Sequence, residues 1–107
     1  MKMTESKIFL YVAENVSRKI SVLRMSPATG ELTRVHEVSV TGKVMPMAIS
    51  PDRRFLYAAM RSKPYSIASF AIDGQTGMLS QLAYTRAADS TVNMTTDKTG
   101  RYLLGAT

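Results

Sequence analysis

Apolar and polar positions fall into short runs along this chain, and the runs recur. Residues 7–14 and 54–60 are compact apolar stretches rich in Phe, Tyr, Leu and Ala. Residues 18–25 and 65–72 alternate, with Ile20 and Val22, then Ile67 and Ser69, on one face. Period-two alternation marks a half-buried strand. A third strand is predicted at 32–40 and again at 78–84, a fourth at 44–50 and again at 91–96. No long segment keeps the period of a helix. Between the second and third strands lie Ser26-Pro27-Ala28-Thr29-Gly30 and Asp73-Gly74-Gln75-Thr76-Gly77. The closing Gly supplies the positive φ that such hairpin loops need.

The recurrence has a register. Phe9-Leu10-Tyr11 returns as Phe55-Leu56-Tyr57, 46 residues later, and again as Tyr102-Leu103-Leu104. Thr29-Gly30-Glu31-Leu32 returns as Thr76-Gly77-Met78-Leu79 at a spacing of 47, and Ser50-Pro51-Asp52 is matched to Thr95-Thr96-Asp97 at 45. Four short antiparallel strands per ~40–50 residues is the pattern of a β-propeller blade. The fold class is therefore all-β. About two four-stranded blades are present, as units 7–53 and 54–100, with a third begun at 101–107. A propeller needs typically 4–8 blades. The 107 residues are thus expected to be the N-terminal fragment of a single propeller domain. The first blade would take its innermost strand from elsewhere. The alternative is a short protein that buries its edges by self-association.

Composition narrows the chemistry. With no Cys there is no disulfide, thiolate metal site or Cys nucleophile, and the single His36 excludes a His cluster. No apolar run approaches the ~18–20 residues of a membrane span. Met1 to Lys7 lacks the apolar core of a secretory signal, because Glu5 and Lys7 interrupt it. The expectation is a cytoplasmic protein without membrane contact. The net charge is +6, but no more than two basic residues are consecutive, as in Arg18-Lys19 and Arg53-Arg54. That scatter argues against nucleic acid as a partner. There is no phosphate-binding Gly loop and no Ser nucleophile elbow, and no cofactor is expected. The eight Met residues read as gap-filling side chains between blades.

The string Val40-Thr41-Gly42-Lys43-Val44-Met45-Pro46-Met47-Ala48-Ile49-Ser50-Pro51-Asp52-Arg53-Arg54-Phe55-Leu56-Tyr57 resembles an inner-strand segment of the bacterial propeller-type 6-phosphogluconolactonases. Ile8-Phe9-Leu10-Tyr11-Val12-Ala13, the Thr-Gly-x-Leu turns and the tail Asp97-Lys98-Thr99-Gly100-Arg101-Tyr102-Leu103-Leu104 fit the same family. The resemblance covers essentially the whole chain but only about two-sevenths of a seven-bladed protein. It implies hydrolysis of 6-phospho-D-glucono-1,5-lactone to 6-phosphogluconate in the pentose phosphate pathway. It makes a small phosphorylated sugar lactone the expected partner, and the fragment alone is expected to be inactive. The alternatives are a propeller that binds without catalysis, or an enzyme acting on another lactone.

Lactone hydrolysis needs a base for water, donors for the oxyanion and cations for the phosphate. Propeller ligands sit at the channel mouth, which here means loops 14–18, 40–46, 61–65 and 86–93. Arg61 is the leading substrate-binding candidate, since the family pattern resembles its surroundings; the competing reading is a solvated loop Arg. Asn93, on an inner strand where family members often carry His, is expected to face the channel as a hydrogen-bonding group. Lys43 and Arg86 complete the substrate-binding set, each with solvation as the simpler explanation. Asp52 and Asp97 read as turn caps at the opposite end, and His36 as an exposed strand residue. Packing between blades accounts for Tyr11 and Tyr57. No residue of this chain is assigned as the base.

Overall fold

The computed structural model describes residues 7–107. The N-terminal segment discussed above therefore lies, up to Ser6, outside the described residues. Nine strands follow in order: β1 (Ile8–Glu14), β2 (Lys19–Met25), β3 (Leu32–Ser39), β4 (Val44–Ile49), β5 (Phe55–Met60), β6 (Ser66–Ile72), β7 (Leu79–Arg86), β8 (Asn93–Thr96) and β9 (Leu103–Ala106). Each expected strand is present within two residues of its predicted ends, and no helix occurs among the described residues. The strands form three antiparallel sheets, β1-β2-β3, β4-β5-β6-β7 and β8-β9. The sheets do not start where the sequence units start. β4 closes the first sequence unit, yet it pairs with β5 of the second.

Local chemistry explains the turns. Both β-hairpin loops use one hydrogen-bond scheme. Ser26 N–H donates to Glu31 O and Gly30 N–H to Ser26 O, while Asp73 N–H donates to Met78 O and Gly77 N–H to Asp73 O. Gly30 and Gly77 sit at φ 74° and 73°. The bulges between Val22 and Leu23 and between Ser69 and Phe70 also occupy equivalent positions, 47 residues apart. The spacing is 46 between β1 and β5 but 47 from β2 onward. The extra residue therefore lies in the β5–β6 loop, which has five residues (61–65) against four (15–18) between β1 and β2.

The spacing of 45 at the next turn is corrected. Ser50 N–H donates to Phe55 O and Arg53 N–H to Ser50 O; Asp97 N–H donates to Tyr102 O and Gly100 N–H to Asp97 O. Ser50 is thus equivalent to Asp97 and Asp52 to Thr99, again at 47. The pair of side chains is the same with its members exchanged. In one turn the Ser50 hydroxyl donates to the Asp52 carboxylate at 2.6 Å; in the other the Thr99 hydroxyl donates to Asp97. Matching Asp with Asp hid this exchange. Arg53 (φ 61°) and Gly100 (φ 75°) take the same left-handed position.

The core lies between the first two sheets. Ile20, Val22, Val44, Leu56, Ala58, Met60, Ala68 and Phe70 are fully buried in one cluster, with Phe9, Tyr11, Ala13 and Val38 packed on it. Cross-strand partners share a face, so the pairs Leu56–Phe70 and Ala58–Ala68 present one apolar face together. The expected face of β6 is corrected accordingly: Ser66, Ala68 and Phe70 are its buried residues, while Ile67 and Ser69 are half-buried. The alternation is present, but the small Ser66 and Ala68 stand on the buried side and the larger Ile67 on the other, so apolarity alone selects the wrong face. His36 is half-buried rather than exposed, and its Nε2 has no hydrogen-bond partner among the described residues. It lies opposite Val22, on the core side of β3.

Candidate functional site

Antiparallel order brings loops 15–18, 40–43, 61–65 and 87–92 to one end of the sheets, and the Asp-capped turns to the other. Asp52 accepts the Ser50 hydroxyl and the Arg54 N–H. Asp73 accepts the N–H groups of Gln75 and Thr76, and Asp97 the Thr99 hydroxyl and the Tyr102 N–H. These donors favour the ionised form and hold all three carboxyls below their ordinary 3.8. They are turn caps.

The opposite end is cationic. Its loops and the adjoining strand ends carry Arg18, Lys19, Lys43, Arg61, Lys63 and Arg86 against Glu14 and Asp89. Arg61 and Lys43 are joined through their backbones. The Arg61 N–H donates to Lys43 O at 2.7 Å. The Lys43 N–H donates to the Ser62 hydroxyl oxygen at 2.9 Å. These two bonds continue the β4–β5 pairing past its last ladder pair, Val44–Met60. Gly42 makes the approach of Ser62 feasible, because a Cβ there would stand 2.5 Å from the Ser62 oxygen. The Arg61 side chain is exposed but tethered. Its Nε–H donates to the Ser90 hydroxyl at 3.3 Å, and its Nη1 lies 3.6 Å from the Met45 sulfur. Ser90 stands 47 residues after Lys43, so Arg61 spans the same loop position in two successive sheets.

Arg86 ends β7, on the outer side of this end. With Lys63, Pro64, Tyr65, Ala87 and Ala88 it lines a pocket of about 590 Å³. No hydrogen bond among the described residues links it to Arg61. Asn93 begins β8 as an exposed residue, alternating with buried Met94. Inner-strand side chains here alternate between the two faces of the sheet; Asn93 shares its face with its cross-strand partner Ala106. Gly42, Met45, Ser62 and Ser90 were not singled out from sequence. The one-residue lengthening of loop 61–65 and the 47-residue match of Lys43 to Ser90 were the available signals.

A family model described as "Lactonase, 7-bladed beta-propeller" matches residues 7–107. Among curated proteins, 6-phosphogluconolactonase of Cronobacter sakazakii is 37% identical over 94 residues, which is 88% of this chain and 28% of that protein. The protein of the same name from Serratia proteamaculans is 38% identical over 100 residues, covering 94% and 29%. A Bacteroides fragilis crystal structure, provisionally named a 6-phosphogluconolactonase, superposes with a TM-score of 0.84 at 26% identity, over 92% of this chain and 28% of that one. The periplasmic gluconolactonase of Pseudomonas aeruginosa shares the fold, with a TM-score of 0.82 at 23% identity, over 92% and 29%. The chain thus spans under a third of the length of the relatives it matches. With the strand pattern, the repeated turns and the match over residues 7–107 in agreement, the chain belongs to the lactonase family of seven-bladed β-propellers.

Proposed function

We propose that this chain is the N-terminal portion of a 6-phosphogluconolactonase. In this reading units 7–53 and 54–100, and a third begun at 101–107, are successive repeats of one propeller. The substrate is 6-phospho-D-glucono-1,5-lactone, the product is 6-phosphogluconate, and the setting is the cytoplasmic pentose phosphate pathway. The observation that carries the reading is the Arg61–Lys43 pair, fixed at a loop end that is strongly cationic, in a chain whose relatives bear that enzyme's name.

The chemistry divides accordingly. Water attacks the lactone carbonyl, charge develops on the carbonyl oxygen, and the ring C–O bond breaks as the ring oxygen takes a proton. This end of the chain supplies cations and hydroxyls, which bind anionic oxygen. Its two carboxylates are already engaged: Asp89 accepts the Ser90 N–H at 2.7 Å and Glu14 accepts the Ser21 hydroxyl. Arg61 and Lys43 are therefore assigned to holding the phosphate or the oxyanion, with Arg86 and Asn93 as outer contacts. The base that activates water belongs to other parts of the whole protein.

Replacing Arg61 by Ala in the full-length protein is expected to lower kcat/KM about ten-fold or more, or about 1.4 kcal/mol of transition-state stabilisation. Unchanged kinetics would remove Arg61 from the site. Comparing phosphorylated with unphosphorylated gluconolactone tests the substrate class, and no turnover of either would leave a binding propeller.

A further inference from the structure

We infer that Ser62 is the positioning residue of this cationic site: its hydroxyl, admitted by the missing side chain of Gly42, fixes Lys43 beside Arg61. The inference rests on the lactonase reading for its catalytic consequence, but not for its geometry. Lys43 lies outside β4 and Arg61 outside β5, so neither is held by regular strand pairing. What holds them is one exchange: Lys43 O accepts the Arg61 N–H at 2.7 Å, and the Lys43 N–H donates to Ser62 Oγ at 2.9 Å. The Ser62 oxygen takes the place of the backbone carbonyl that a longer ladder would offer. Without it the Lys43 N–H returns to water, and the Lys43 backbone loses one of its two hydrogen bonds.

Gly42 supports the assignment independently. It is buried, yet its backbone is not in the left-handed region. Its requirement is one of space: a Cβ would meet Ser62 Oγ at 2.5 Å and Met60 Cβ at 3.4 Å. Glycine at 42 and serine at 62 form one device. The Ser62 hydroxyl proton has no acceptor among the described residues, so it is free to turn toward a ligand oxygen while Oγ keeps its bond from Lys43. A hydroxyl that accepts from an amide becomes a better donor. Two cations carried on anchored backbone bind a phosphate more tightly than the same two on loose loops, because less freedom is lost on binding.

The test uses the full-length protein with Ser62→Ala, Ser62→Thr, Gly42→Ala and the double variant Gly42→Ala/Ser62→Ala. Ser62→Ala is expected to raise KM for the phosphorylated lactone about five-fold while kcat changes less than about two-fold, the mark of lost ground-state binding. It should weaken binding of inorganic phosphate by a similar factor and speed hydrogen exchange of the Lys43 amide about ten-fold or more. Ser62→Thr keeps the oxygen and should restore all three. Gly42→Ala should reproduce the Ser62→Ala effect, and the double variant should be no worse than either single change, since both break one bond. Unchanged phosphate binding, or a Lys43 amide as protected as before, overturns the inference. If the intact protein hydrolyses no lactone, the lactonase reading falls alone, and phosphate binding with amide exchange still decides the role of Ser62.

Discussion

Gly30 and Gly77 share a backbone conformation but not a neighbour. Both have φ near +74°. A Cβ at 30 would meet nothing within 4 Å, whereas a Cβ at 77 would stand 2.5 Å from the Phe9 ring. Gly30→Ala should therefore cost about 1 kcal/mol, the left-handed penalty alone. Gly77→Ala should cost that plus roughly 1–3 kcal/mol for overpacking. Equal losses in urea unfolding would show that the Phe9 contact carries no weight. The same glycine also serves Tyr11, whose hydroxyl donates to Gly77 O at 2.7 Å across the two sheets. Burial raises the Tyr11 phenol above its ordinary 10.0. A raised native value means that stability is complete below about pH 10 and falls as pH rises through the native value. Tyr11→Phe should remove about 1 kcal/mol and flatten that alkaline loss. Sequence alone marked Tyr11 as a packing residue. It did not reveal the hydrogen bond, because the partner is a backbone carbonyl 66 residues away.

At the scale of elements, the exchanged pairs Ser50–Asp52 and Asp97–Thr99 make one turn from two orders of the same groups. The double variant Asp97→Ser/Thr99→Asp should unfold at the parent temperature, whereas either single change should unfold at a lower one. Thermal unfolding of the three variants measures this. All three turn carboxyls are held below 3.8, first by the Ser50 hydroxyl for Asp52, the Gln75 N–H for Asp73 and the Thr99 hydroxyl for Asp97. A depressed native value adds stability above pH 3.8 that is lost as pH falls through it. Acid titration of a variant with Asn at 52, 73 and 97 should show a flatter decline below pH 4 than the parent chain. Strand positions were legible because an apolar run followed by an alternating run is a strong local signal. The spacing of 45 was not read correctly, because like residues attract an alignment even when hydrogen-bond roles are exchanged. Nor was the buried side of β6, where Ser66 and Ala68 are buried and the larger Ile67 is not.

At the scale of the whole molecule, charge is unevenly placed. The loops hold four cations at each end, Arg18, Lys43, Arg61 and Lys63 at one and Arg53, Arg54, Lys98 and Arg101 at the other, but the turn carboxylates Glu31, Asp52, Asp73 and Asp97 balance only the second set, against Asp89 in the loops of the first. An anionic substrate would be drawn to the first end, and that attraction weakens as salt shortens the Debye length from ~10 Å at 0.1 M toward ~3 Å at 1 M. Raising salt across this range should raise KM for the phosphorylated lactone in the full-length protein while kcat stays level; a salt-independent KM would mean that the cations do not face the substrate. The candidate site was half legible. Arg61 and Lys43 were read as loop cations, but their pairing depends on Ser62 and Gly42, which no periodicity marks. The loop with the extra residue is also the loop that carries Arg61. Successive repeats keep their bulges and Gly-closed hairpins in strict register, while the chain lengthens at the opposite end, outside the β5–β6 pairing. Duplicated units of this kind can diverge at one rim while the other continues to dictate assembly. New ligand specificity could therefore arise by insertion at 61–65 without a fresh folding problem for each variant to solve.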